Sequence, residues 1–309
     1  MNLSFVEPIR TAWQRMVRVL FRPFSPGKWF VLGFAAFLSE GLSHGVGGQS
    51  SFRHRTGGGG VPDVTDVLER LAEFFRHPIW GAVALIVLTF VCIAFLLLLW
   101  VNSRGRFIFL DDVVHERAAI VEPWRRFAGL GNQLFVFTVV TLLLWGAALV
   151  ATILPVLPGL LAAAASGRWR DLLLIAVGGW LVLFTPLILL MSCFYLFQSS
   201  FVVPLMYRDG IGPLAAWRRF LGLFARHPFH FIGYALLYLC LSVVVFAAAM
   251  TVGIGTCCIG FVLLATPYIG SVVMLPVEVF FRGLGPDFLA QFGPEYSVSA
   301  APASPGAAS

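Results

Sequence analysis

Five apolar stretches, near residues 79–101, 133–153, 172–197, 229–252 and 257–281, dominate the chain. A helix rises about 1.5 Å per residue, so each is long enough to cross a hydrocarbon core of roughly 30 Å. A sixth segment, near 28–45, is shorter and contains Glu40, and it needs flanking residues to complete a crossing. The composition agrees: 12% of residues are charged, against about 25% in soluble domains, and the mean hydropathy is +0.89. The expected fold is an all-α polytopic membrane protein with six spans.

Basic residues set the expected orientation, since Lys and Arg are retained on the cytoplasmic side. With six spans and the N-terminus inside, 15 basic residues fall inside and 6 outside. If the first segment did not span, the split would be 11 against 10 and the bias would vanish. Six spans with both termini cytoplasmic is therefore the expectation, and the plasma membrane the expected location. No signal-peptide pattern opens the sequence. An arginine-rich inner face against anionic lipid headgroups accounts for the pI of about 9.4 without nucleic acid. Cys92, Cys193, Cys240, Cys257 and Cys258 sit in or beside apolar stretches without metal-type spacing, and read as core fillers.

A repeat organises the chain. WRRFAGL (Trp124 to Leu130) returns as WRRFLGL (Trp217 to Leu223), and a weaker copy begins with WQRM at Trp13. Residues 6–8 and 121–123 both read VEP, and each copy opens with Pro8, Pro123 or Pro213, a residue suited to a helix's first turn. Each copy reads as an amphipathic helix in the cytoplasmic headgroup layer, with Trp at the interface and Arg reaching phosphates, followed by a transmembrane hairpin. On the outer side, residues 45–78 read as an extracytoplasmic Gly-rich loop plus an amphipathic helix over 63–76. Residues 291–309 read as a disordered cytoplasmic tail.

The segment SRGRFIFLDDVVHERAAIVEPWRRF, residues 103–127, carries nine charges in an otherwise greasy chain. Helical spacing pairs Asp111 with His115 and Asp112 with Glu116, which could hold Mg²⁺. A second acidic motif is missing and Arg117 stands alongside, so a solvated helix end with its own ion pairs is the preferred reading. GLSHG, residues 41–45, matches a nucleophile elbow only formally, since it lies at a transmembrane helix end. Glu278 and Arg282, four apart near the end of the last span, are expected to pair.

The stretches SRGRFIFLDDVVHERA, FVVPLMYRDGIGPLAAWRRF and LPVEVFFRGLGPDFLAQFGPEY resemble a family of uncharacterised bacterial multi-span inner-membrane proteins. Gly105, Asp112, Arg117, Pro123, Trp124, Arg126, Pro276 and Arg282 fit its pattern best. The layout is more loosely similar to the membrane domains of bacterial glycerophosphodiester phosphodiesterases. The resemblance implies a polytopic fold and no activity.

The functional expectation is a scaffold without catalysis or cofactor that grips anionic lipid or a membrane-protein partner. Arg104, Arg106, Arg117, Trp124, Arg125, Arg126, Trp217, Arg218 and Arg219 are the expected contacts, with Asp111, Asp112 and Glu116 fixing the arginines by ion pairing. The rival classes are a small transporter, flippase or transporter accessory subunit, and a metal-dependent lipid-modifying enzyme centred on Asp111, Asp112 and His115.

Overall fold

The computed structural model describes residues 4–22, 24–46, 78–166, 168–256 and 259–298, and these are helical without strands. The helices are α1 (Val6–Phe21), α2 (Pro26–Val46), α3 (Pro78–Val114), α4 (Val121–Arg126), α5 (Ala128–Ile153), α6 (Leu157–Ala165) and α7 (Trp169–Gly179). They continue as α8 (Thr185–Phe197), α9 (Val203–Asp209), α10 (Pro213–Arg226), α11 (Pro228–Gly255), α12 (Ile259–Ala265) and α13 (Pro267–Leu289). Among the described residues, five stretches are long and apolar enough to cross a membrane: Gly81–Val114, Ala128–Ile153, Leu174–Asp209, Pro228–Gly255 and Tyr268–Phe292. The outer loop and helix expected over 45–78, and the tail from residue 299, fall on or largely on residues outside those described.

The long helices divide into two zones. On α3, apolar side chains from Ile79 to Leu98 are mostly exposed, while Phe107, Ile108, Phe109 and Leu110 are fully buried. The exposed part is about 30 Å long, the thickness of a hydrocarbon core, so lipid is its natural solvent. Threonines at this level satisfy their own hydroxyls: Thr89 and Thr141 each donate to the carbonyl four residues back, at 2.8 and 2.7 Å. The same division recurs where apolar side chains from Val136 to Leu154 and from Leu236 to Ile254 are mostly exposed while Leu134, Phe231 and Tyr234 are buried.

The buried ends meet in one lobe built from α1, the last turns of α3, α9, α10 and α13. Phe201, Phe220, Phe231, Tyr234, Phe288 and Phe292 form a continuous aromatic cluster, with Phe231 and Phe292 stacked at 5.3 Å. A second cluster joins Met16, Val19 and Leu20 of α1 to Leu32 and Ala36 of α2, and to Ile108, Phe109 and Val279. Apolar burial, at roughly 25 cal/mol per Å² removed from water, is what holds the lobe together.

Residues 291–298, expected to be disordered, are instead packed. Phe292 and Val298 are buried, and Gln291 exchanges hydrogen bonds with the Ser4 backbone at 2.8 and 2.9 Å. The apolar residues scattered among glycine and proline hide this segment from a compositional reading. The span expected at 257–281 is also corrected: α12 ends at Ala265 and a new helix starts at Pro267. Thr266 is extended (φ −76°, ψ 121°), as the proline ring forces on the residue before it.

Proline reshapes the stretch from Trp169 to Asp209 as well. Residues 180–184 and 198–202 form π turns, each just ahead of Pro186 or Pro204. A proline ring clashes with the carbonyl four residues back, here that of Val182 or Ser200, and the wider turn makes room for it. Ser200 then lies against Gly285 of α13, where a Cβ would collide with the Ser200 carbonyl. At Gly105 of α3 a Cβ would lie 2.6 Å from the Leu38 carbonyl carbon. Asn102 tightens that crossing by donating to the carbonyls of Leu38 and Ser39, at 3.2 and 2.6 Å.

Both glycine crossings allow backbone-to-backbone approach that no side chain permits. Gly105→Val and Gly285→Val should each lower the thermal midpoint in detergent sharply, by an overpacking cost of roughly 1–3 kcal/mol or more. Gly129→Ala, at a position with open space around it, should leave the midpoint unchanged.

Candidate functional site

The charged segment leaves the lipid level but enters protein, not water. Asp111 and Asp112 are fully buried, and Arg106 is 5% exposed. Asp111 Oδ2 accepts from Arg117 at 2.7 Å, while Oδ1 accepts from the Tyr207 hydroxyl at 2.6 Å and lies 3.2 Å from His115 Nδ1. The hydrogen bond to Asp111 raises the pKa of the Arg117 guanidinium, which therefore stays charged. Asp112 Oδ1 accepts from the Ala119 backbone at 2.9 Å. The two carboxylates thus clasp the loop that follows α3.

That loop begins with a left-handed residue. Glu116 has φ 53°, and Arg117 N–H returns to the Asp112 carbonyl at 3.1 Å, ending the helix in a Schellman-type turn. A side chain in this conformation costs roughly 1 kcal/mol. Lys28 donates to the Glu116 carbonyl at 3.0 Å and Arg18 faces its carboxylate at 3.5 Å, which ties the turn to α1 and α2.

The Mg²⁺ cluster, the less favoured reading of this segment, is not the geometry found. Both Asp111 oxygens are occupied by donors, and no group of three or more metal-ligating side chains forms among the described residues. Arg117 takes the place a cation would need.

Of the nine Arg and Trp residues expected at headgroups, Arg125, Arg126 and Arg218 are exposed. Arg106 turns inward, donating to the Tyr195 hydroxyl at 2.6 Å with its guanidinium 4.9 Å from that ring. Arg282, also buried, donates to the Arg106 carbonyl, and Glu278 is buried one turn away on α13. Arg104 lies between the indoles of Trp100 and Trp124, at 4.2 and 5.2 Å, and donates to Asn132 Oδ1 at 3.0 Å. Trp217 stacks on Phe194 at 4.6 Å. Arg219 reaches Asp209 and the Glu295 carbonyl, pinning the C-terminal segment.

The two WRRF copies differ in structure. Residues 217–220 lie inside α10, whereas 124–127 straddle the break between α4 and α5, where Phe127 caps the short helix. Exposed arginines missing from the expected contacts lie on or just after α1 and on α10, Arg10, Arg18, Arg22 and Arg226, and Trp13 of the weaker repeat copy is exposed beside them. Their signal was available, since Arg10, Trp13, Gln14 and Arg18 recur at helical spacing opposite buried Ala12, Met16 and Val19. With Arg125, Arg126 and Arg218 they make a cationic surface around the buried lobe.

A family model described as Family of unknown function (DUF7544) matches residues 3–297. No match was found among curated proteins or among solved structures, and the looser likeness to glycerophosphodiesterase membrane domains is without support.

Removing Asp111 would leave Arg117 and Tyr207 facing an empty, buried site. Asp111→Ala should cost roughly 3–5 kcal/mol and Tyr207→Phe roughly 1 kcal/mol, while Arg125→Ala stays within about 0.5 kcal/mol. Thermal unfolding in detergent measures all three, and equal effects would contradict the burial described.

Proposed function

The chain belongs to this family of unknown function, and we propose that it acts as a non-catalytic scaffold binding anionic lipid at the inner face of a bacterial plasma membrane. The observation that carries this reading is the set of exposed arginines on α1, α4 and α10 surrounding the lobe. Trp13, Phe21 and Phe24 are exposed among them, and aromatic rings beside arginine suit the headgroup boundary.

In this arrangement α2 makes a sixth crossing beside the five longer stretches, both termini face the cytoplasm, and the lobe hangs beneath the inner leaflet. Helices α1, α4 and α10 each lead directly into a long helix, which supports three units of an interfacial helix followed by a hairpin. The buried charges have a structural part, holding the lobe rigid so that the exposed arginines keep fixed positions. A membrane-protein partner would meet the same surface.

The reading is tested in nanodiscs of mixed phosphatidylglycerol and phosphatidylcholine. Each arginine near an anionic surface is worth about 1 kcal/mol, so Arg125→Gln, Arg126→Gln and Arg218→Gln should each reduce phosphatidylglycerol enrichment about fivefold at low salt. Arg168→Gln, exposed at the far end of the helices, should not. Equal lipid selection by wild type and the triple variant would sink the proposal.

A further inference from the structure

A groove of about 870 Å³ runs along α5, bounded on its other side by Phe194 of α8 and by Pro213 and Leu214 at the start of α10. Its floor is one stripe of α5, Val136, Val140, Leu144 and Ala148, four residues apart and therefore on a single face. From Asn132 to Ala148 the stripe is about 24 Å long. Its polar side chains are concentrated at one end, where Asn132 and Gln133 stand, with Thr141 and the Trp145 indole further along.

That end is also electropositive. The Arg104 guanidinium lies next to Asn132, held by its bond to the Asn132 side chain and by the two indoles, with its Nε buried. The first turn of α10 opens onto the same end, where the Leu214 and Ala215 amides lack acceptors within their own helix while Ala216 N–H donates to the Gly212 carbonyl at 3.0 Å. We propose that this groove seats one phospholipid, an acyl chain along α5 and an anionic phosphate headgroup at Asn132, Gln133 and Arg104.

A polar cationic end, followed by an almost wholly apolar shaft, matches the division of a single anionic phospholipid. The inference rests on the anionic-lipid reading above but adds a defined site, distinct from the exposed arginines.

The test is native mass spectrometry of the full chain released from nanodiscs with dioleoyl phosphatidylglycerol as the probe. Wild type should retain one phosphatidylglycerol in preference to phosphatidylcholine. Val140→Trp fills the groove, and displacing even two methylenes is worth about tenfold, so the single-lipid adduct should fall about tenfold. Leu236→Trp, on the exposed side of α11, should leave it unchanged. If the Val140→Trp protein does not fold, a photoreactive p-benzoylphenylalanine at Leu144 reads the occupant directly.

A phosphatidylglycerol photoadduct supports the site. An adduct to a second copy, no adduct, or an undiminished lipid in folded Val140→Trp overturns it. The Arg125, Arg126 and Arg218 triple variant separates the two readings. It should lose bulk enrichment and keep the single retained lipid, so either proposal can fail alone.

Discussion

Asp111 is the side chain on which the buried lobe of the molecule depends. A fully buried carboxylate is tolerable only if its lone pairs are met, and three elements meet them: Arg117 from the following loop, Tyr207 from α9 and His115 from the helix end. The carboxylate therefore joins chain segments almost a hundred residues apart. Arg15 and Asp287 do the same between α1 and α13 at 2.6 Å, mostly shielded from solvent. Charge in this chain works largely as a directional fastener inside an otherwise slippery aromatic core.

The lobe also explains why the long helices need little contact with one another at the lipid level. Hydrocarbon gives no hydrophobic driving force for helix association, so packing there must come from small residues or hydrogen bonds. Here the crossings at Gly105 and Gly285 and the Asn102 bonds lie in or beside the buried zone. Stability is concentrated at one end, and the exposed lengths beyond it are left for lipid to cover.

The spans were legible because length and apolarity are local properties that need no partner to be read. Exposed Arg125, Arg126 and Arg218 were legible for the same reason. The fate of SRGRFIFLDDVV was not. Nine charges in 103–127 read as a solvated stretch because a sequence shows how much charge is present but not whether its partners come from elsewhere. Tyr207 and Tyr195 lie about ninety residues further on, and nothing local links them to Asp111 or Arg106. Asp111 pairs with Arg117 six residues on, whereas Asp112 serves a backbone amide. The break at Thr266 was readable from Pro267, but a continuous apolar run concealed it.

The π turn at 198–202 has a geometric consequence for this fastener. One extra residue in a helix turns everything beyond it by about 100° around the axis. Tyr207 lies downstream of that insertion, and its hydroxyl meets Asp111 only because the insertion has swung it to the correct azimuth. Pro204, by demanding the wider turn, sets the angular register of the joint between the two halves of the chain.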